Sequence, residues 1–120
     1  MYNLIIEDCV SQSTILHGFT AYFGNGISIN WIEFDSVSDT DVLLEYILIK
    51  GDFNVSLNVY TEMEIELPKL AGFISMSLHT DIIISDEGLD PFSWILISSD
   101  GTHKTVSQIA ADENEFRIKR

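Results

Sequence analysis

The chain has 120 residues, 46% of them apolar and one a cysteine, and its 19 acidic side chains outnumber six basic ones for a net charge of −13. That length and apolar content suffice for one domain with its own core, and exclude a disordered acidic tail, a disulfide framework and a zinc cluster of the usual spacing. The charge repels polyanions, both nucleic acid and anionic lipid, and steers basic partners toward the protein; the alternative reading is that it serves solubility alone.

The opening MYNLIIEDC lacks a basic region followed by a long apolar run, so no signal peptide is expected and the cytoplasm is the default compartment. Residues 2–7 read as a short strand. Ile15, Leu16, Phe19, Tyr22 and Phe23 then recur at helical spacing, with Gly24 as a C-cap. The competing reading is a strand over 19–23 that turns through Gly24-Asn25-Gly26; the helix is preferred. Residues 9–32 hold no Asp, Glu, Lys or Arg, but Ser, Thr, Asn, Gln and Gly interrupt them too often for the ~20 apolar residues of a membrane span.

Residues 27–34, ISINWIEF, have the β-branched and aromatic content of a strand. Ser38 stands three residues before Asp41, which resembles a capping box and predicts a short helix from about residue 39. Residues 46–49 read equally well as a strand. Phe53, Val55, Leu57 and Val59 alternate strictly with Asn54, Ser56 and Asn58, the pattern of a half-buried strand. Leu67, Leu70, Ala71, Ile74 and Leu78 follow at steps of three and four, and Pro68 fits a first turn, so a helix should start near residue 66. Residues 81–84 are a short buried strand.

DPFSWILISSDG, residues 90–101, poses the question of an active-site segment with an aspartate at each end. Asp90-Pro91 opens a turn, Asp100-Gly101 makes another, and the apolar run between them is a strand buried on both faces or nearly so. An extended strand holds the two aspartates roughly 30 Å apart at ~3.3 Å per residue. Paired-carboxylate chemistry needs about 10 Å or less. The segment is structural. Strands over 102–109 and 116–119 follow the Asp-Gly hairpin signal. The sum is a single α+β domain with a mainly antiparallel sheet and one to three helices.

No residue set has the spacing of a catalytic site, so no enzyme is expected. There is no Gly-x-Ser-x-Gly elbow, and Cys9 would need His17 or His79 as its base. The three histidines lack metal-ligand spacing, and Asp86-Glu87-Gly88 misses the calcium-loop pattern. Gly24-Asn25-Gly26 lacks the lysine of a phosphate loop. Asn54-Val55-Ser56 matches a glycosylation sequon but falls mid-strand. Glu62, Glu64 and Glu66 alternate with Met63 and Ile65, either as the wet face of a strand or beside a helix N-terminus. No metal and no cofactor are expected.

The C-terminal half, LPKLAGFIS followed by DIIISDEG, DPFSWILI and SDGT, resembles small bacterial immunity proteins of the contact-dependent-inhibition and polymorphic-toxin type. The resemblance covers residues 66–119. It implies a protein without activity of its own that binds a cognate toxin domain, often a basic nuclease, and blocks its active or functional surface. The contact residues expected from the charge are Asp35, Asp39, Asp41, Glu62, Glu64, Asp86, Glu87 and Asp90. The rival readings are an acidic adaptor or structural domain for another basic protein, and a small acid-lined enzyme.

Overall fold

A computed structural model describes residues 1–32, 40–88, 90–111 and 114–119. The elements run β1 (Tyr2–Ile6), α1 (Gln12–Phe23), β2 (Ile29–Trp31), β3 (Val42–Leu48), β4 (Lys50–Gly51), β5 (Val55–Tyr60), α2 (Leu67–Leu78), β6 (Ile82–Ser85), β7 (Ser93–Ile97), β8 (His103–Ile109) and β9 (Glu115–Lys119). The strands form one sheet in the order β2-β3-β5-β1-β6-β7-β8-β9-β4. Among the described residues, only β2–β3 and β4–β9 pair in parallel. The fold is α+β with a mainly antiparallel sheet.

The period-two alternation of the strands separates two cores. Leu4 and Ile6 of β1, Val55, Leu57 and Val59 of β5, and Ile82 and Ile84 of β6 join Ile15 and Phe19 of α1 and Leu70, Ala71 and Ile74 of α2. Ile5, Ile83, Leu96 and Val106 point the other way and join Phe53, Phe116 and Ile118. Both helices therefore lie on one face of the sheet. They approach closely at Gly18, where a Cβ would stand 3.2 Å from Ile74 Cδ1. The α1 N-cap is Ser11, whose Oγ accepts from the Thr14 N–H at 3.3 Å. Beyond α2, Ser75 Oγ donates to the Thr80 carbonyl at 2.6 Å and to that of Ile97 at 3.3 Å, which ties the helix end to β7.

The sheet is rolled. Six strand spacings separate β3 from β9, roughly 29 Å on a flat sheet at ~4.8 Å each. Yet only Ile49 separates β3 from β4, and β4 pairs with β9. The Lys50 N–H donates to Asn114 O and the Asp52 N–H to Phe116 O, both at 2.8 Å. The Asp52 carboxylate accepts from the Ile118 N–H at 3.0 Å. This return carries Phe53 into the second core. Its ring meets Phe116 edge-on at 5.9 Å, and Phe116 meets Trp94 edge-on at 5.2 Å. The Trp94 indole N–H is satisfied by Gln108 Oε1 at 3.0 Å.

The structure corrects the reading of residues 39–50. The expected short helix is the strand β3, because Val42, Leu44 and Tyr46 alternate onto the helix-covered face. Asp41 does not cap a helix: its carboxylate accepts from Ser28 N at 2.9 Å and Ser28 Oγ at 3.2 Å, which joins the approach to β2 with the start of β3. Ser38 lies outside the described residues. In β7, Leu96 and Ile97 are buried, whereas Trp94 and Ile95 are half-buried. The hairpin at Asp100-Gly101 is as expected: the Gly101 N–H donates to Ser98 O at 2.9 Å, and Gly101 has φ +91°.

Gly51 has φ +104°, and a Cβ there would overlap the Phe116 carbonyl oxygen. Gly51→Ala is therefore expected to destabilise the fold by more than about 1 kcal/mol. Gly72→Ala, in α2 with nothing within 4 Å of an added Cβ, should be neutral or stabilise by up to about 1 kcal/mol. Urea unfolding of the two variants tests the roll; equal effects would count against it.

Candidate functional site

Every described acid among the expected contact residues lies at one end of the sheet. The strand register sets this: Leu43 faces Tyr60, Tyr2 faces Val59 and Ser85 faces Trp94. The start of β3, the end of β5, the end of β6 and the start of β7 therefore share an edge. Asp41 precedes β3, Glu62 and Glu64 follow β5, Asp86 and Glu87 follow β6, and Asp90 precedes β7. Asp35 and Asp39 lie outside the described residues. The alternation at 62–66 is realised without a strand: Met63 and Ile65 pack on the main core while Glu62, Glu64 and Glu66 stay exposed. The Ile65 N–H is anchored on Tyr2 Oη at 3.1 Å.

Two clefts open at this end. The first, about 670 Å³, is lined by Asp41, Tyr60, Glu62 and Met63, among others. The second, about 530 Å³, lies between the start of α2, the end of β6 and the start of β7. Glu66, Asp86 and Glu87 stand around it, and Lys69 is the one base in its lining. Glu64 faces a smaller neighbouring recess, which shares Ile65, Glu66 and Lys69 with the second cleft.

On the sheet face away from the helices, the first cleft continues into a row of polar side chains. Glu45 Oε1 accepts from Asn58 Nδ2 at 2.8 Å and from the Tyr60 hydroxyl at 3.1 Å. Asn3 Nδ2 donates to Asn58 Oδ1 at 2.9 Å and to Ser56 Oγ at 3.0 Å. Desolvation, then the hydrogen bond to Glu45 and its negative charge, raise the Tyr60 pKa above the ordinary 10.0. Tyr60 is thus a hydrogen-bond donor at neutral pH and unsuited to act as a base. Asp86 is shifted the other way: a hydrogen bond from Ser93 and one from the Gly88 N–H (2.8 Å) hold its carboxyl below 3.8 and keep it ionised.

Sequence reasoning missed Glu45, Tyr60, Glu66 and Lys69. The first two come together only through the β3–β5 register, which the helix reading of residues 39–50 concealed. Elsewhere, Cys9 is exposed and its Sγ meets Tyr46 Oη at 3.9 Å rather than either candidate histidine. Burial, and then Cys9, raise the Tyr46 pKa, and its hydroxyl donates to Val10 O at 2.9 Å. Among the described residues no group of three His, Cys, Asp or Glu could hold a metal ion.

Comparison with family models, with curated proteins and with solved structures gives no match. What the site offers is its own geometry: carboxylates from separate segments around two clefts. Among the described residues no helix is long and apolar enough to cross a membrane.

The Tyr60 arrangement has a spectroscopic consequence. A phenol whose folded pKa lies above 10.0 stabilises the fold fully below pH 10, and that contribution fades as pH rises through the folded value. Titration of ¹³C-labelled tyrosine should show Tyr60 ionising above pH 10, and Glu45→Gln should move it downward. An unmoved Tyr60 would mean that the carboxylate does not govern it.

Proposed function

We propose that this chain is an immunity-type inhibitor that binds a basic toxin domain, best a nuclease, and covers its active or functional surface. It acts in the cytoplasm, without catalysis, metal or cofactor. The observation that carries the reading is the convergence of Asp41, Glu62, Glu64, Asp86, Glu87 and Asp90 on one end of the sheet, from segments far apart in the chain. The resemblance of residues 66–119 to small immunity proteins points to the same class of partner.

The physics favours an encounter driven by charge. A surface bearing one sign of charge steers a complementary partner and raises its association rate, and carboxylates in an array can occupy positions that phosphates take on a nuclease. Exposed rim charges act mainly on association, whereas buried contacts set dissociation. The rate should therefore fall as salt shortens the Debye length from about 8 Å at 0.15 M to about 3 Å at 1 M.

Co-expression with a basic nuclease toxin domain, taken from a gene beside this one where it encodes such a domain, followed by binding kinetics across salt, tests the proposal. The expected result is protection, a stoichiometric complex and an on-rate that drops with salt. Reversing Asp86 and Glu87 to Lys, or Asp41 and Glu62 to Lys, should slow association by about tenfold and change dissociation less. No protection and no complex would discard the inhibitor reading; protection with a salt-independent on-rate would discard the steering.

A further inference from the structure

Resting on the proposal of a basic partner, we infer that the second cleft is a socket for one apolar side chain, presented by that partner between its own Lys or Arg residues. The cleft has about 530 Å³, within the range of roughly 300–1,000 Å³ typical of ligand sites. Its floor is apolar. Leu67 comes from the first turn of α2, Ile84 from the penultimate position of β6, and Ile95 from β7. Leu67 and Ile95 remain half-buried, so the floor is wet until something covers it.

The edge of the cleft has the opposite chemistry. Glu66, Asp86 and Glu87 stand there against the single ammonium of Lys69, three carboxylates to one base. The loop that carries two of them is braced: Glu87 N–H donates to Ser85 Oγ at 3.2 Å and Gly88 N–H to Asp86 Oδ1 at 2.8 Å. A ligand that satisfies both parts must be apolar at its centre and cationic on its flanks. A purely basic segment leaves the floor wet, and an anionic aromatic meets the carboxylates. Apolar anchors seated in a pocket and surrounded by polar contacts are where binding energy concentrates at protein interfaces. The occupant is therefore a partner protein's segment of the pattern basic–apolar–basic, with an aromatic residue the best filler.

Three end-blocked tripeptides separate the two requirements: Lys-Trp-Lys, Lys-Ala-Lys and Glu-Trp-Glu. Each is titrated into the full chain, and the methyl resonances of Leu67, Ile84 and Ile95 are followed. Lys-Trp-Lys should shift these methyls saturably, with a Kd on the order of millimolar. The other two should bind at least about tenfold more weakly. Asp86→Asn combined with Glu87→Gln should weaken Lys-Trp-Lys several-fold while the same methyls respond. Methyls that ignore Lys-Trp-Lys up to about 10 mM, or that respond equally to Glu-Trp-Glu, would overturn the socket. A chain that binds Lys-Trp-Lys in this way but no basic toxin domain keeps the socket and loses the inhibitor reading. A toxin complex formed by a chain whose methyls ignore all three peptides does the reverse.

Discussion

The pairing of β4 with β9 is the constraint on which the rest of the molecule depends. A nine-stranded sheet left open would expose one whole face, since both helices occupy the other. By sending residues 50–53 back to the last strand, the chain turns that second face inward and closes it over Phe53, Trp94 and Phe116. Gly51 makes this possible, because only a residue without a Cβ fits a positive φ against the Phe116 backbone. Acidic loops stand at both ends of the sheet: Asp41, Glu62, Glu64, Asp86, Glu87 and Asp90 at one, and Glu7, Asp8, Asp81 and Asp100 at the other.

Charge and helix are segregated in this fold. The two helices contain 12 residues each, and Lys69 is the one Asp, Glu, Lys or Arg between them. The strands alternate apolar and polar positions, so most acids are left to the connections. Connections between antiparallel neighbours fall at sheet ends by geometry. Topology thus confines these acids to the two ends of the sheet, and the register decides which of them share an end. The apolar floor of the second cleft arises at one of these ends because α2 begins with Leu67 and Pro68, over the end of β6 and the start of β7.

The elements that could be read in the sequence were those with an unambiguous period. Val55 to Val59 alternate and Leu67 to Leu78 step by three and four, and they appear as β5 and α2 with the expected faces buried. Phe53, read onto the same face as Val55, instead precedes β5 and packs in the second core. The Asp-Gly turn was legible from its turn chemistry, and the strand read at residues 81–84 from its continuous apolar run, which is β6 with Ile82, Ile83 and Ile84 buried. Residues 39–50 were not. Ser38 and Asp41 mimic a capping box, and the alternation of Val42, Leu44 and Tyr46 is blurred by Leu43 and Ile47 on the intervening positions. The candidate site was half legible: composition named the exposed acids, but which of them share an edge is a property of register. Glu45 escaped because its meaning lies in Asn58 and Tyr60 across the strand pair. Nor could a local pattern have shown the roll, since the contact of Gly51 with Phe116 joins positions 65 apart.

The return of residues 50–53 to β9 also governs the order of events during synthesis. Phe53 leaves the ribosome some 60 residues before Phe116, its aromatic neighbour. Until then the inner faces of β1, β6 and β7, with Ile5, Ile83 and Leu96, have no lid. A nascent chain can pair these strands and dock both helices, but it carries an open apolar trough. Closure of the second core thus waits for residues 115–119, and until they arrive the growing polypeptide presents that trough to aggregation.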